Sequence, residues 1–190
     1  MSRRSIAFAS LVVIGAIAVA AVLFYFVGPG HRRLQTASES PIIGKAQLGS
    51  PAPQFAVATT DGLFDLSKTA KPVFLEVFAT WCPHCQRMTA VVDKLYRKYR
   101  MMVAFVGVSG SDTGMDGATA ASEADVLEWV RRFNVQYPVA YDPLLNVANL
   151  YLQGGFPTFA VIGKDKKVLY LNSGELSFHE LDSAIGKALR

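Results

Sequence analysis

After residue 54, near-continuous apolar runs alternate with segments in which apolar residues recur at helical spacing. The first pattern predicts buried strands and the second predicts helices. A near-continuous apolar run, Val73–Ala79, is typical of a central strand that is buried on both faces. Apolar residues at helical spacing follow it and predict a helix over about Pro83–Lys98. A second apolar run, Met102–Val108, predicts another buried strand. This region is therefore expected to fold as strand, helix and strand.

Turn and cap residues locate the remaining elements. Asp61-Gly62 lies between the strand-like runs Phe55–Thr59 and Leu63–Leu66 and predicts a hairpin. Ser122, followed three residues later by Asp125, predicts the start of a helix. The expected core contacts of this helix are Val126, Val130 and Phe133. Later elements are a strand Val139–Tyr141, a helix Asn146–Leu152, a hairpin of Thr158–Ile162 with Val168–Leu171, and a helix capped by Ser177. This order predicts an α/β fold, a mixed sheet with helices on both faces.

The N-terminal 33 residues have a different character. Ser5–Val27 carries no charge over 23 residues, and about 20 such residues span a bilayer as a helix. Ala18-Val19-Ala20 is a possible cleavage site of a signal peptide. The apolar run continues beyond it to Val27, which favours a retained, single-pass signal anchor with its N-terminus in the cytoplasm. Both interpretations predict that the rest of the chain is exported.

Two segments are expected to lack regular structure. Gly28–Gln54 has few large apolar residues and is typical of a linker, and Gly110–Ala121 is typical of a mobile loop. The predicted organisation is an anchor with basic flanks over residues 1–33, a linker over 34–47 and a folded domain over 48–190.

Charge and cysteine content narrow the function. The net charge of +4 comes entirely from four arginines beside the apolar segment, because 15 basic and 15 acidic residues balance from Leu34 onward. No nucleic-acid surface is predicted. Two cysteines are too few for a multi-disulfide scaffold or a four-cysteine zinc site.

Both cysteines belong to one motif, Cys82-Pro83-His84-Cys85. Thiols at this spacing at a helix start can close a small disulfide ring, and the helix N-terminus favours a thiolate on the first of them. Thiol–disulfide chemistry is therefore predicted. A passive disulfide staple is the alternative, although so short a loop removes little entropy from the unfolded chain.

The chain resembles the thioredoxin superfamily, and within it the membrane-anchored, exported branch called TlpA/ResA-like. The resemblance covers roughly Leu48–Leu189. It depends on the motif from Phe78 to Cys85 and on Phe156-Pro157-Thr158, which begins 71 residues after Cys85. It implies a thioredoxin-like mixed β-sheet flanked by helices, preceded by a transmembrane helix. The Pro-His pair between the cysteines is also found in oxidising DsbA-like proteins.

The motif and the resemblance together give the two cysteines their roles. Cys82 is the expected nucleophile at the more exposed edge of the site, and Cys85 then resolves the mixed disulfide. Pro83 suits the first helical turn. The resemblance implies that Glu76, six residues before Cys82, is a buried proton relay for Cys85 with a raised pKa. The alternative is an edge-facing Glu76 that reaches solvent.

Three further residues are expected to shape the site. The resemblance implies a cis Phe156–Pro157 bond that brings the Phe156 backbone beside Cys82, where it could pair with an extended substrate. The alternative is an ordinary turn proline. Trp81 is expected to shield the disulfide and to offer an apolar contact surface.

His84 has three interpretations. As an imidazolium it would stabilise a Cys82 thiolate. It could instead be a solvent-facing side chain with a steric role, or a ligand of Cu(I) beside two thiols. Tyr137-Pro138 is interpreted as structural. No catalytic role is predicted for His31, beside the apolar segment, or for His179, on a helix surface.

The leading hypothesis is an exported thiol–disulfide oxidoreductase, tethered to the inner (cytoplasmic) membrane, with its domain on the periplasmic or extracytoplasmic side. Protein thiols and disulfides are the expected substrates. The resemblance favours a reductase that takes electrons from a membrane partner and acts on targets such as apocytochrome c. A monomeric domain without cofactor or metal is expected. The alternatives are a DsbA-like oxidase or isomerase, a copper chaperone, which would need a third soft ligand, and a peroxidase, which usually has Thr or Ser where this chain has Ala79.

Overall fold

The computed structural model describes residues 45–190, in which seven strands form one mixed sheet in the order β2-β1-β5-β4-β3-β6-β7. The strands are β1 Ala56–Thr59, β2 Gly62–Asp65, β3 Val73–Phe78, β4 Ala104–Ser109, β5 Val139–Tyr141, β6 Thr158–Ile162 and β7 Val168–Ser173. The helices are α1 Pro83–Tyr99, α2 Glu123–Arg132, α3 Asn146–Tyr151 and α4 Phe178–Ala188. The predicted order of elements is confirmed.

Strand β3 lies inside the sheet and leads directly to the cysteine motif. It pairs in parallel with β4 and antiparallel with β6, and all six of its residues are buried. Phe74 and Phe78 pack on one face of the sheet, whereas Leu75 and Val77 pack on the other. A strand covered on both faces needs apolar residues at successive positions, which explains the unbroken run in the sequence.

Helices cover both faces, as predicted. Helices α1, α2 and α4 contribute buried side chains to the face of Phe74, and α3 contributes to the face of Leu75. Ser122 and Asp125 form the predicted capping box of α2. The core face of α2 differs from the prediction. Trp129 is fully buried and stacks on Phe78 with 4.2 Å between ring centroids, whereas two predicted contacts, Val130 and Phe133, are only partly buried.

The end of the predicted linker differs from the structure. Residues 46–54 pack on the domain rather than extending away from it. The amide of Ala46 donates to the carbonyl of Leu150 and that of Ala52 to the carbonyl of Lys166, each at 2.7 Å. Both alanines are buried, because their small side chains fit against the face of the sheet that carries Leu75 and Val77. The folded part therefore includes at least Ala46.

No helix within residues 45–190 is long and apolar enough to cross a membrane. The predicted anchor over residues 1–33 lies outside the described residues.

Candidate active site

The two cysteines occupy the first turn of α1, where the chain leaves the carboxyl end of β3. Cys82 is the N-cap residue, with an extended backbone, and Pro83 is the first helical residue. Both cysteines are free thiols. The relative exposure of Cys82 is 4% and that of Cys85 is 0%, so Cys82 lies nearer the surface, though only slightly.

The first turn of α1 suits an anion on the Cys82 sulfur. It contains no acidic residue, and the N-cap side chain makes no capping hydrogen bond. The unpaired amide groups of a helix N-terminus carry partial positive charge, which attracts a thiolate. The local chemistry therefore favours Cys82 as the nucleophile, the role expected from its place in the motif.

The loop before β6 closes the site from the other side. The Phe156–Pro157 peptide bond is cis, as the resemblance implied. The Cys82 thiol donates to the carbonyl oxygen of Phe156 at 3.7 Å between sulfur and oxygen. Thr158 is buried, and its hydroxyl donates to the Gly155 carbonyl at 2.8 Å. This hydrogen bond holds the loop against the start of β6, so the Phe156 backbone stays beside the thiol.

Glu76 is fully buried in the middle of β3, so the interpretation of an edge-facing side chain is wrong. Burial raises the pKa of Glu76 to about 7, a hydrogen bond from Tyr137 opposes that rise, and the nearby Asp93 adds to it. A carboxyl with this pKa can take or release a proton at neutral pH.

Cys85 lies behind Cys82 in a setting that keeps its thiol protonated. Burial raises the pKa of Cys85, and the neighbouring charge of Glu76 raises it further. A buried thiol needs a base before it can attack. The electrostatic influence of Glu76 on Cys85 makes Glu76 the candidate for that base.

His84 is exposed and contacts two charged side chains. Its Nδ1 atom lies 2.6 Å from Oε1 of Glu175, which precedes α4. Arg87 donates to the same carboxylate oxygen. These contacts hold the pKa of Glu175 down at about 2, with Arg87 as the larger cause. His84 is therefore solvent-facing, and its ring has an anionic partner in Glu175.

Trp81 covers the site on the side of the loop over residues 110–121. Its indole N–H donates to the Ser111 hydroxyl at 2.8 Å, and its ring meets Phe156 edge-on with 6.2 Å between centroids. The side chain remains 38% exposed. This partly exposed apolar surface beside Cys82 suits contact with a protein substrate.

The described residues offer little support for a metal site. No group of three or more His, Cys, Asp and Glu side chains in residues 45–190 could hold a metal ion. The copper hypothesis gains no third ligand there.

Sequence reasoning missed three residues of this site: Tyr137, Glu175 and Ser111. Tyr137 contacts Glu76 from 61 positions away, and Glu175 contacts His84 from 91 positions away. Ser111 belongs to a loop whose composition indicated only mobility. No local pattern signals such contacts, and the sequence alone indicates only a structural role for Tyr137-Pro138.

A dithiol at a helix start, with a buried acid behind it and a cis-proline loop across it, defines the thioredoxin-like class of thiol–disulfide oxidoreductases. A protein-family model described as Redoxin matches residues 47–185, and the chain belongs to this family. The curated relatives it matches are named thiol-disulfide oxidoreductases, and this chain is a protein thiol–disulfide oxidoreductase.

Relatives and solved structures agree with this assignment. The chain is 30% identical to the thiol-disulfide oxidoreductase ResA of Bacillus cereus over 148 residues, which cover 75% of this chain and 79% of that protein. ResA of Geobacillus thermodenitrificans is 27% identical over 139 residues, 70% of this chain and 74% of that protein. The fold matches a structure from Chlorobium tepidum assigned as the thiol:disulfide interchange protein DsbE, with a TM-score of 0.66 and 26% identity over 77% of this chain and all of that one.

Proposed function

We propose that this protein is an exported reductase of protein disulfides, tethered to the inner membrane with its domain on the extracytoplasmic side. The uncharged segment Ser5–Val27 supports the tether, and the likeness to ResA proteins supports the class of reaction. Substrates on this proposal are protein disulfides, and the electrons come from a membrane partner. The described domain works as a monomer.

The reaction proceeds in two exchanges. The Cys82 thiolate attacks a substrate disulfide, a new bond joins the two proteins, and one substrate sulfur leaves as a thiolate. Cys85 then gives its proton to Glu76 and attacks the Cys82 sulfur. The mixed disulfide breaks, the second substrate thiolate leaves, and the Cys82–Cys85 disulfide forms. Two electrons have passed to the substrate.

The Glu175 carboxylate beside His84 is the observation that supports the reductase direction. Strong oxidants of this superfamily owe their potential to a stabilised dithiol form. Here the Glu175 carboxylate lies 2.6 Å from Nδ1 of His84, and its negative charge weakens the stabilisation of a thiolate on Cys82. The oxidised protein therefore gains less from accepting electrons than a strong oxidant does.

The equilibrium potential of the Cys82–Cys85 couple against glutathione tests this direction. A reductase is expected to lie toward the thioredoxin value of about −270 mV, whereas a DsbA-like oxidant lies near about −120 mV. A value at the oxidising end would reverse the proposed direction and support the oxidase. Mass spectrometry after Cu(I) loading tests the copper alternative, which requires metal retained by native protein and lost on substitution of Cys82.

Localisation has its own test. In cells that make the full chain, a membrane-impermeant maleimide added from outside the inner membrane should label Cys82 in a carbonate-resistant membrane fraction. Labelling only after lysis, or recovery in the soluble fraction, would contradict the tether.

A further inference from the structure

The side chain of Tyr137 crosses over strand β4 and contacts Glu76 on β3. It lies just before β5, on the far side of β4 from β3. Its ring is buried, and its hydroxyl donates to Oε2 of Glu76 at 2.7 Å. Gly107, the register partner of Glu76 on β4, lies beneath the ring. A Cβ atom at Gly107 would lie 3.0 Å from Cε2 of Tyr137, so the glycine makes room for the ring.

The two oxygens of Glu76 have different surroundings. Tyr137 occupies Oε2, whereas Oε1 has no hydrogen-bond partner within residues 45–190. A buried polar atom without a partner is costly, and such atoms often serve function. Glu76 and Cys85 lie on the same side of the sheet, since the alternation of β3 places Glu76 with Phe74 and Phe78.

We propose that Tyr137 is the positioning residue of the proton relay: its hydroxyl fixes the Glu76 carboxyl so that Oε1 takes the proton of Cys85. This inference rests on the proposed exchange chemistry and names a group that controls its second step. The Cys85 S–H bond breaks, the proton goes to Oε1, and the thiolate then attacks Cys82 as described above. Glu76 returns the proton to the Cys85 sulfur when the membrane electron donor reduces the Cys82–Cys85 disulfide again.

The hydroxyl also sets the pH at which the relay works. A donor to the carboxylate favours its ionised form, and this hydrogen bond lowers the pKa of Glu76 against the effect of burial. The titratable groups that face Glu76 are Tyr137 from the segment before β5, and Asp93 and Cys85 from α1. Cys82 lies beyond Cys85, and Asp93 accepts from the Gln136 amide at 2.9 Å. Of these groups, only Tyr137 donates a hydrogen bond to the carboxyl.

Tyr137→Phe removes the hydroxyl and keeps the ring. Its effect is read from the reaction of the reduced protein with an aromatic disulfide whose released thiolate is coloured. The first release reports attack by Cys82, and the second reports resolution by Cys85. We expect the first phase to be unchanged. The pH midpoint of the second phase should rise by about one unit, with resolution about tenfold slower at neutral pH.

Tyr151→Phe is the matched control. Tyr151 is also buried, but its hydroxyl donates to the Pro53 carbonyl on the opposite face of the sheet. It should change neither phase. In a Glu76→Gln background, Tyr137→Phe should cause no further change in the second phase, because the relay is already absent. A fully additive effect in that background would contradict the proposal.

A second variant covers the possibility that Tyr137→Phe does not fold. A ring-fluorinated tyrosine at position 137 keeps the hydrogen bond and makes the hydroxyl a stronger donor, so the second-phase midpoint should fall. Carbon NMR of the Glu76 carboxyl should move in parallel. An unchanged second-phase profile in a folded variant overturns the role of Tyr137. Absence of the first phase in the unmodified protein overturns the proposed function instead.

Discussion

The carboxylate of Glu175 lies 2.6 Å from Nδ1 of His84, the residue that separates the two active-site cysteines in the sequence. Glu175 belongs to the loop between β7 and α4. Arg87, one turn further along α1, pairs with the same oxygen. All three side chains are exposed by more than two fifths, so their energies are screened by solvent and salt. The helix N-terminus attracts a thiolate on Cys82, and the Glu175 carboxylate places a negative charge close to it.

Glu175→Gln should make the protein a slightly stronger oxidant. Loss of the carboxylate removes its repulsion of a Cys82 thiolate and so favours the dithiol form. We expect the potential of the Cys82–Cys85 couple to rise by roughly 10–20 mV at low ionic strength and less at high salt. Glu128→Gln is the matched control, because Glu128 pairs with Arg131 on α2 and should leave the potential unchanged. A lower potential for Glu175→Gln would contradict this account.

Glu76→Gln should remove a dependence of stability on pH. The pKa of Glu76 is about 7 in the folded protein against 4.5 ordinarily, so between these values the folded state binds more protons than the unfolded chain. Stability is therefore lost as pH rises through this window, by about 3 kcal/mol in total. Denaturant unfolding on either side of the window measures the loss.

The glutamine variant has no proton to lose, so its free energy of unfolding should change less across the same window. Identical pH slopes in the two proteins would show that Glu76 does not titrate there. Its second exchange step should also be slower than in the unmodified protein, while the fold stays intact.

Most elements of the fold could be predicted because their patterns are local. The buried strand β3, the capping box of α2 and the β6–β7 hairpin each depend on residues close in sequence. The rotation of α2 could not be predicted. Helical spacing allows either Trp129 or Val130 to share the core face with Val126. The structure places Trp129 there because its ring stacks on Phe78 of β3, a contact between distant segments.

The site divides in the same way. The cysteine pair follows from its own motif, whereas the buried acid and the cis-proline loop were expected from the resemblance to the thioredoxin superfamily. The contacts of Tyr137 with Glu76 and of Glu175 with His84 depend on how distant segments meet. The Tyr137 ring can cross β4 because Gly107 has no side chain in its path. No sequence pattern indicates that this glycine faces the ring.

Ser111→Ala should loosen the cover over Cys82. Trp81 would lose its 2.8 Å hydrogen bond and with it a fixed ring position. We expect Trp81 to become more accessible to a fluorescence quencher, and Cys82 to be alkylated about two- to fivefold faster. Trp129 is fully buried, so a change in quenching reports on Trp81. Thr59→Ala, in the β1–β2 hairpin, is the control; equal quenching in both variants would argue against the hydrogen bond as a restraint.

Cys85→Ala should trap substrates. Without the resolving thiol, the mixed disulfide through Cys82 persists, because no second sulfur attacks it. Affinity purification from membranes, followed by reduction, should release covalently bound proteins. Cys82→Ala should release none. Equal recovery from the two variants would indicate a passive staple.

Site-resolved alkylation of the dithiol form tests the central claim most directly, that Cys82 attacks while Cys85 waits behind it. Cys82 lies at the helix start with a small exposed area, whereas Cys85 is fully buried and burial raises its pKa. Brief treatment at neutral pH, followed by peptide mass spectrometry, should place the label on Cys82 and leave Cys85 unmodified. A label that accumulates on Cys85 while Cys82 stays unmodified would contradict the account.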